Sequence, residues 1–374
     1  MVLAALMSAT LMFLSPSAAD QAATKIEPLV EQAMNEGKIP SATVALVAGD
    51  RIVWAKGFGY SNLRSRTPAD PETVYLIGST FKAMSTFALL QQMEQGKFRL
   101  DDPVNRYMNG LAIRGEDPAH PITFRHLLTH TSGLPAAFGG HPVWGETVPS
   151  PLPDYLRRSL EVKRPPLERV EYSNLAFTLV AYLVEHLSGV PYKKYIQEQI
   201  FAPLQMTSTS FEPTPDMDER LAVPYAVEEK TGRQTPAARV KADVWPAGIV
   251  YGTVLDQANW LIANLNRGKF GDRQLLKPET HAQMLVRQYD KFARPMEYGY
   301  GNSTTGYGLT WIITERKGER FFAHSGSVAG YTAFLLGNAS RKIGFAILTN
   351  GNRAHRHIAK LAEDALDLLA VDSR

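Results

Sequence analysis

Cysteine is absent from the 374-residue sequence, and this absence excludes disulfide bonds, thiolate metal ligands and catalysis by a cysteine nucleophile. It is compatible with a protein that is exported and folds without oxidation. The sequence also lacks a concentration of charge of one sign, because its formal net charge of +3 is spread along the chain. Nothing in this charge pattern indicates a nucleic-acid partner.

Long apolar runs are absent apart from the first residues of the chain. Residues 2–14 are almost wholly apolar, and small residues follow as far as Ala19, before Asp20. This pattern predicts a secretory signal peptide over residues 1–19, which is too short to span a membrane. The alternative is an N-terminal helix that frays. A cleaved signal would place the mature chain in the periplasm or outside the cell, with no stable membrane span.

Linkers, internal repeats and low-complexity stretches are absent as well. A hydrophobic content of 44% indicates a globular protein with a large core. Predicted strands lie near both chain ends, at residues 41–48, 51–60, 309–314, 320–324, 331–338 and 343–350. The predicted fold class is therefore α/β in the α+β sense, with an antiparallel sheet built from both chain ends and flanking helices.

Helical patterns fill the middle of the chain, at residues 123–129, 175–187, 192–200 and 255–266, with further helices at 23–36 and 355–369. We expect residues 20–374 to form a single unit with two lobes. A sheet lobe would comprise about residues 20–76 and 295–374, and a mostly helical inserted lobe about residues 77–294.

One strongly apolar helix begins at a turn that carries a hydroxyl group. Residues 81–93 are apolar over most of the helix circumference, which is typical of a buried helix. Ser79 precedes this stretch, and Lys82 lies one turn later on the same face. A partly desolvated lysine can accept a serine proton, and the positive helix end favours the negative charge that develops. The pair predicts a nucleophilic serine with a lysine base; the alternative is a helix cap beside a solvated lysine.

Two Tyr-Ser-Asn triplets occur in the sequence, at residues 60–62 and 172–174. Tyr172 precedes a predicted helix and can shuttle protons if a cation such as Lys82 lies near it, since the ordinary pKa of tyrosine is about 10. Asn174 can donate its amide to a substrate carbonyl and accept from a lysine. The alternative places Tyr172 in the core and makes Asn174 a helix cap. Tyr60 precedes a polar loop and is expected to belong to a turn.

A polar motif closes the predicted strand at residues 320–324. It consists of His324, Ser325, Gly326 and Ser327 and leads into a turn. A glycine in a strand allows a ligand or another backbone segment to approach closely. A backbone N–H of this motif is a candidate second donor of an oxyanion hole, with the N–H of Ser79 as the first. The alternative is an ordinary strand end before a hairpin.

Two histidine pairs have spacings that invite comparison with metal sites. His126 and His130 are four residues apart, but no glutamate follows His126 as the zinc-helix motif requires. His355 and His357 lack a further ligand at a suitable spacing. No metal site is predicted at either pair, and no cofactor is expected.

Three short motifs occur in one order along the chain: Ser79-x-x-Lys82, Tyr172-x-Asn174 and His324-x-Gly326. Together they resemble the active-site signature of serine β-lactamases and penicillin-binding DD-peptidases. The second motif, which begins with a tyrosine, resembles that of the class C β-lactamase-like branch, since class A carries Ser-Asp-Asn there. Residues 122–134, with Arg-x-Leu-Leu-Thr-His-Thr-Ser-Gly-Leu, and residues 172–206 resemble the same branch.

The resemblance implies an acyl-enzyme mechanism. Ser79 would attack a carbonyl, and Lys82 and Tyr172 would share the proton transfers. Asn174 would orient the substrate amide. The backbone N–H groups of Ser79 and Ser327 would hold the oxyanion.

The third motif departs from the usual class C pattern. His324 and Ser325 would line the pocket and contact a substrate carboxylate, but class C β-lactamases usually have Lys-Thr-Gly here. A histidine at the first position of this motif resembles the pattern of certain DD-peptidases and D-aminopeptidases, whereas related carboxylesterases often have Trp-x-Gly. With an ordinary pKa near 6.5, His324 is expected to be cationic only in mild acid. The alternative is a ring that points away from the cleft.

The sequence thus predicts an exported, metal-independent serine hydrolase, with β-lactam or D-Ala-peptide hydrolysis as the first assignment. A carboxylesterase or D-aminopeptidase on the same site is the alternative, and a penicillin-binding or peptidoglycan sensor without turnover is an alternative of another class. The expected partner is a small-molecule or peptidoglycan-type substrate. Four aromatic residues are candidates for the pocket wall: Phe138, Trp144, Trp245 and Tyr298.

Overall fold

The computed structural model of the protein describes residues 16–136, 150–292, 294–295, 304–316 and 318–371. Most of the predicted signal peptide lies outside these ranges, and so do Phe138, Trp144 and Tyr298. No helix within these ranges is long and apolar enough to cross a membrane.

The main sheet joins the two ends of the chain. The strands that the structure describes are β1 (Ser41–Ala48), β2 (Arg51–Asn62), β3 (Thr67–Pro68), β4 (Tyr75–Leu76), β5 (Tyr225–Val227), β6 (Gln234–Pro236), β7 (Tyr251–Gly252), β8 (Lys269–Phe270), β9 (Arg273–Gln274), β10 (Arg294–Pro295), β11 (Thr304–Tyr307), β12 (Ile312–Arg316), β13 (Glu319–Val328), β14 (Tyr331–Asn338) and β15 (Ile343–Thr349). Nine of these described strands form one antiparallel sheet in the order β10-β11-β12-β13-β14-β15-β1-β2-β3. Ala42 of β1 lies opposite Thr349 of β15. The predicted fold class, with a sheet built from both chain ends, is confirmed.

Helices occupy the middle of the chain and its two ends. The α-helices in the described ranges are α1 (Pro16–Gly37), α2 (Lys82–Glu94), α3 (Phe124–Leu128), α4 (Leu152–Ser159), α5 (Asn174–Ser188), α6 (Tyr192–Ile196), α7 (Pro215–Glu219), α8 (Val254–Leu265), α9 (Pro278–Met284) and α10 (His355–Val371). Shorter turns are 3₁₀-helical at Gly78–Phe81, Val104–Tyr107, Trp245–Ala247 and Asp290–Phe292, and π-helical at Gln197–Phe201. The two-lobe division stays a prediction.

The sheet is covered by helices on both faces. Alternate residues of a strand point to opposite faces, so β1 contributes Val44 and Leu46 to one core and Ala45 and Val47 to the other. The first core lies under α1 and α10. The second continues through α8 into α2 and α5. The second core therefore connects the sheet to the helix that follows Ser79.

Two strands differ from their predicted bounds by more than two residues at one end. The predicted strand at residues 309–314 begins only at Ile312, because Thr310 has a φ of +74° and its N–H bonds the Leu128 carbonyl, which bends the chain away from the sheet. The strand predicted to end at His324 continues to Val328, because its ladder with β14 pairs residues as far as Val328 and Tyr331. The polar motif thus lies within the sheet and not in the turn.

Candidate active site

Ser79 lies at the mouth of a buried helix. The 3₁₀ turn Gly78–Phe81 runs directly into α2, so Ser79 and Lys82 lie on one face. Ser79 is half-buried, whereas Lys82 is completely buried. The Lys82 Nζ is 2.8 Å from the Ser79 Oγ. The structure therefore brings together the hydroxyl and the amine that the sequence predicts as nucleophile and base.

Lys82 is held among uncharged groups. Its Nζ donates to the Ala247 carbonyl at 2.6 Å and lies 4.9 Å from the centre of the Tyr172 ring and 5.6 Å from that of Phe177. Among the residues that the structure describes, no carboxylate forms an ion pair with it. Burial lowers the pKa of Lys82 well below its ordinary value, because the charged form loses its hydration. The side chain is thus suited to be a neutral amine that accepts a proton.

Three glycines let the polar motif approach Ser79. A Cβ on Gly326 would lie 2.2 Å from the Ile77 carbonyl oxygen, and one on Gly78 would lie 2.8 Å from the Ser327 nitrogen. A Cβ on Gly248, which has a φ of +152°, would lie 3.0 Å from the Ser79 nitrogen. Real Cβ atoms do not tolerate the shorter of these distances, so glycine is required for this packing. The backbone nitrogens of Ser79 and Ser327 therefore lie where these two segments pack closely together.

Tyr172 lies just before α5. The loop is fixed because Ser173 caps α5, its Oγ accepting the Ala176 N–H at 3.1 Å. The Tyr172 hydroxyl is buried and makes no hydrogen bond of standard geometry with the described residues. Burial raises its pKa above the ordinary value, and the neighbouring Ser79 hydroxyl opposes that rise only in part. Tyr172 is therefore a neutral phenol beside Ser79 and Lys82.

Asn174 is the first residue of α5 and is almost completely buried. The helix cap that the sequence offered as an alternative for Asn174 is in fact Ser173. No described residue forms a hydrogen bond with the Asn174 side-chain amide. The backbone carbonyl of Asn174 accepts a hydrogen bond from the Thr178 hydroxyl. The amide is thus free to meet a substrate group.

The structure separates His324 from Ser325. His324 is buried and lies near Tyr172 and Trp311, with ring centres 6.5 Å and 6.4 Å away. Ser325, one residue along β13, lines a cavity on the α10 side of the sheet together with Phe334 and His355. Consecutive side chains of a strand point to opposite faces. The expectation that Ser325 lines the catalytic pocket is therefore wrong, and the strand alternation through residue 325 is the reason.

Burial disfavours the cationic form of His324. Its Nδ1 lies 2.7 Å from the Ser325 carbonyl oxygen, which makes Nδ1 the protonated nitrogen and leaves Nε2 as an acceptor without a partner among the described residues. Burial, and next the nearby Lys82, lower the pKa of His324 to about 3. The lowered pKa argues against the cationic His324 expected in mild acid, and the ring lies near Tyr172.

Three groups at the site escape the sequence motifs. Ala247 supplies the carbonyl that holds Lys82, and no feature of the sequence distinguishes it. Tyr307 lies close enough to Tyr172 to influence its pKa. His130 stacks on Tyr172 with ring centres 4.2 Å apart. His130 lies in residues 122–134, which resemble the class C branch, but its spacing from His126 suggested only a comparison with metal sites.

The remaining candidates, Trp245 and His126, make contacts that stabilise the fold. Trp245 is half-buried and packs against Tyr192 and Phe211, with ring centres 5.9 Å and 5.4 Å away. The His126 Nδ1 accepts the Thr123 N–H at the start of α3, at 3.2 Å. In the part of the chain that the structure describes, no group of three or more His, Asp and Glu residues has a metal-binding arrangement.

A family model described as "Beta-lactamase" matches residues 26–369. Among curated relatives, Protein flp of Staphylococcus aureus (strain N315) is 25% identical over 343 residues, which cover 91% of this chain and 65% of the relative. The putative penicillin-binding protein PbpX of Bacillus subtilis (strain 168) is 30% identical over 281 residues, covering 73% of this chain and 62% of the relative. The aligned part of the chain thus spans less than two thirds of the length of these relatives.

Solved structures of a penicillin-binding protein homologue and of a class C beta-lactamase resemble the fold of this chain. The octameric penicillin-binding protein homologue from Pyrococcus abyssi superposes with a TM-score of 0.76 at 31% identity, covering 93% of this chain and 77% of that one. A class C beta-lactamase superposes with a TM-score of 0.75 at 17% identity, covering 93% and 96%. The second likeness, at its low identity, concerns the fold alone.

Proposed function

This chain belongs to the beta-lactamase family, as the match over residues 26–369 establishes, and on that premise we propose that it is a serine hydrolase that acts through an acyl-enzyme. The observation that carries the proposal is the 2.8 Å contact between the Ser79 Oγ and a completely buried Lys82 Nζ. A lysine that is merely solvated would not be buried without a carboxylate partner, since isolated buried charge is costly.

In the first step the Ser79 Oγ attacks a substrate carbonyl carbon. Neutral Lys82 can donate one N–H to Ala247 and still accept the Ser79 proton through its lone pair. A C–O bond forms between Ser79 and the substrate, and the carbonyl electron pair moves to the oxygen. The N–H groups of Ser79 and Ser327 would stabilise this oxyanion, assisted by the N-terminal end of the helix.

In the second step the bond to the leaving group breaks and the carbonyl re-forms. The proton held by Lys82 passes through the Tyr172 phenol to the leaving nitrogen. Because its pKa is raised, Tyr172 acts in this step as a neutral phenol that relays the proton, and not as a resting anion. Asn174 would orient the amide of the acyl group. Water then attacks the ester at Ser79 and releases the acid, and the same groups return the proton to Ser79.

The first substrate assignment is an amide-type acyl donor, a β-lactam or a D-Ala peptide. It is supported by the family and by relatives that are named as penicillin-binding proteins. A carboxylesterase or D-aminopeptidase is the second candidate. The observation that favours it is His324, which is buried and uncharged where class C β-lactamases would offer a lysine to a substrate carboxylate.

The test compares turnover of nitrocefin, a D-Ala-D-Ala peptide and p-nitrophenyl butyrate by the same enzyme preparation, together with labelling by a fluorescent penicillin. We expect turnover of at least one amide substrate and one label on the peptide that contains Ser79. Ser79→Ala removes both, whereas Ser61→Ala, whose hydroxyl bonds the Thr67 carbonyl far along the sheet, leaves both intact. Stoichiometric labelling without turnover of any substrate would establish the sensor instead.

Export of the mature chain is a second part of the proposal. It is supported by the apolar stretch at residues 2–14 and the small residues before Asp20. Expression of the full chain in a bacterium followed by N-terminal sequencing is expected to give a mature protein that begins at Asp20. Recovery of the uncleaved chain from the cytoplasm would contradict it.

A further inference from the structure

His130 is a buried residue that the proposed chemistry does not use. It follows α3, is completely buried, and has a φ of +57°, a left-handed conformation that a histidine rarely adopts. This conformation turns both its backbone carbonyl and its ring towards the loop that carries Tyr172. Residues in such conformations persist only where the surrounding contacts hold them.

Two hydrogen bonds from His130 bracket Tyr172 in sequence. Its carbonyl oxygen accepts the N–H of Glu171 at 2.7 Å. Its ring Nδ1 accepts the N–H of Ser173 at 3.1 Å. The residues immediately before and after Tyr172 are thus both hydrogen-bonded to His130, one to its backbone and the other to its ring.

The ring itself lies against the phenol. The planes of His130 and Tyr172 are 30° apart with centres at 4.2 Å, and Tyr307 and Phe177 enclose the histidine ring at 5.3 Å and 5.2 Å. Because Nδ1 accepts from Ser173, the proton resides on Nε2, and the ring is neutral. Burial and the neighbouring Lys82 both lower the pKa of His130 well below its ordinary value.

We propose that His130 is a positioning residue that fixes the Tyr172 phenol beside Ser79 and Lys82, and so sets the rate of the proton relay without touching the substrate. The inference rests on the proposed acyl-enzyme function. A histidine that only filled the core would not need to accept the Ser173 N–H through its ring Nδ1.

Two variants separate the ring from the acceptor. His130→Phe keeps a planar ring against Tyr172 but leaves the buried Ser173 N–H without a partner. His130→Asn loses the ring but places an amide oxygen near the position of Nδ1, and asparagine tolerates a left-handed φ better than other residues. Circular dichroism and thermal unfolding identify which variants fold.

The decisive measurement is a double-mutant cycle with Tyr172→Phe, read as kcat for the best substrate of the wild type. We expect His130→Phe to lower kcat about 10- to 100-fold with little change in KM, because small misplacement of a reacting group has effects of this size. His130→Asn is expected to recover part of that loss. In the Tyr172→Phe background the same substitutions are expected to cost less than about threefold, since the group they position is gone.

Equal fold losses in the two backgrounds would overturn the inference, because a residue that acts only through folding adds its effect to that of Tyr172→Phe. If His130→Phe does not fold, the His130→Asn arm of the cycle is read by the same criterion. A Tyr172→Phe enzyme with undiminished kcat would instead overturn the proton relay of the proposed function. The two failures are therefore distinguishable.

Discussion

The same three residues, Tyr-Ser-Asn, occur at positions 60–62 and 172–174 and lie in two very different environments. Each tyrosine ring has a basic side chain over it: Arg66 is 5.0 Å from the Tyr60 ring and Lys82 is 4.9 Å from the Tyr172 ring. The Tyr60 hydroxyl accepts a bond from Arg66 at 2.9 Å in an exposed hairpin, whereas the Tyr172 hydroxyl is buried and unpaired among the described residues.

The element that follows each triplet explains the difference. Asn62 lies in a β-hairpin, where its Oδ1 accepts the N–H groups of Arg64 and Ser65 at 2.9 Å and 3.3 Å. Asn174 begins α5, where its backbone carbonyl accepts from Thr178 and no described residue bonds its side chain. Residue type alone therefore does not determine the chemistry; exclusion of solvent and the next element of structure do.

The largest expected effect comes from replacing Lys82, the basic side chain over the Tyr172 ring. Lys82→Met keeps the length of the side chain and removes the base, so kcat is expected to fall about 1,000-fold, within the range for loss of a general base. Folding is retained because removing a buried amine without a carboxylate partner leaves no uncompensated charge. Steady-state kinetics and thermal unfolding measure the two effects.

Arg66→Met is the matched control for that substitution. The Arg66 guanidinium is exposed and lies over the Tyr60 ring, a contact worth at most about 1 kcal/mol at an exposed site. Its kcat is expected to equal that of the wild type. A comparable loss of kcat in both variants would show that Lys82 has no special role as a base, and the contrast between the two triplets would be refuted.

The two hydroxyls give the next largest contrast. Tyr172→Phe keeps the stacked ring and removes only the proton relay, so kcat is expected to fall about 100-fold. Tyr60→Phe loses one half-exposed hydrogen bond to Arg66 and is expected to leave kcat unchanged. Parallel kinetics of the two variants with one substrate test this contrast, and indistinguishable rates would refute the assignment of Tyr172.

The two asparagines are expected to show opposite effects. Asn174→Ala removes an amide that no described residue binds, so it should lower kcat/KM about tenfold with little loss of stability. Asn62→Ala breaks two turn hydrogen bonds and should lower the free energy of unfolding by about 1 kcal/mol with unchanged kcat/KM. Urea unfolding and kinetics on both variants provide the four values, and the absence of this crossed pattern would remove Asn174 from the site.

Local patterns made much of this site predictable from the sequence. Ser79 and Lys82 are one helical turn apart, so their contact follows from the helix alone. The apolar strands β14 and β15 were predictable in the same way, because every residue in them is buried. The triplet at 172–174 required more than its letters, since the helix predicted after it and the resemblance of residues 172–206 separated it from residues 60–62, which precede a polar loop.

Contacts between distant segments were not predictable in this way. Lys82 and Ala247 are 165 residues apart, and Ser173 and His130 are 43 apart. The first of these contacts depends on how Gly78, Gly248 and Gly326 let three backbone segments pack together. Ser325 was misassigned for a related reason, because its face depends on how far β13 continues, and a strand register is set by its partner strand.

The smallest expected effect concerns the histidines beside the second triplet. Folding lowers the pKa of His324 to about 3, from an unfolded value near 6.5, because burial, and to a smaller extent the nearby Lys82 and His355 side chains, disfavour its charged form more than the Ser325 carbonyl favours it. Between these two pH values the unfolded chain binds more protons than the folded protein, so stability rises with pH there and is lost progressively as pH falls below about 6.5.

For this single histidine, the pKa shift predicts that the free energy of unfolding falls by about 0.7 kcal/mol between pH 7 and pH 6. His130 shifts in the same direction, so the wild type is expected to lose more than this in total. His324→Asn removes one titrating group and keeps a short donor for the Ser325 carbonyl, so its loss over the same interval should be smaller by that amount. Urea unfolding of both proteins at pH 7 and pH 6 measures the difference. Equal losses in the two proteins would mean that His324 is solvated in solution, and would return it to the role of a cation that attracts a substrate carboxylate in mild acid.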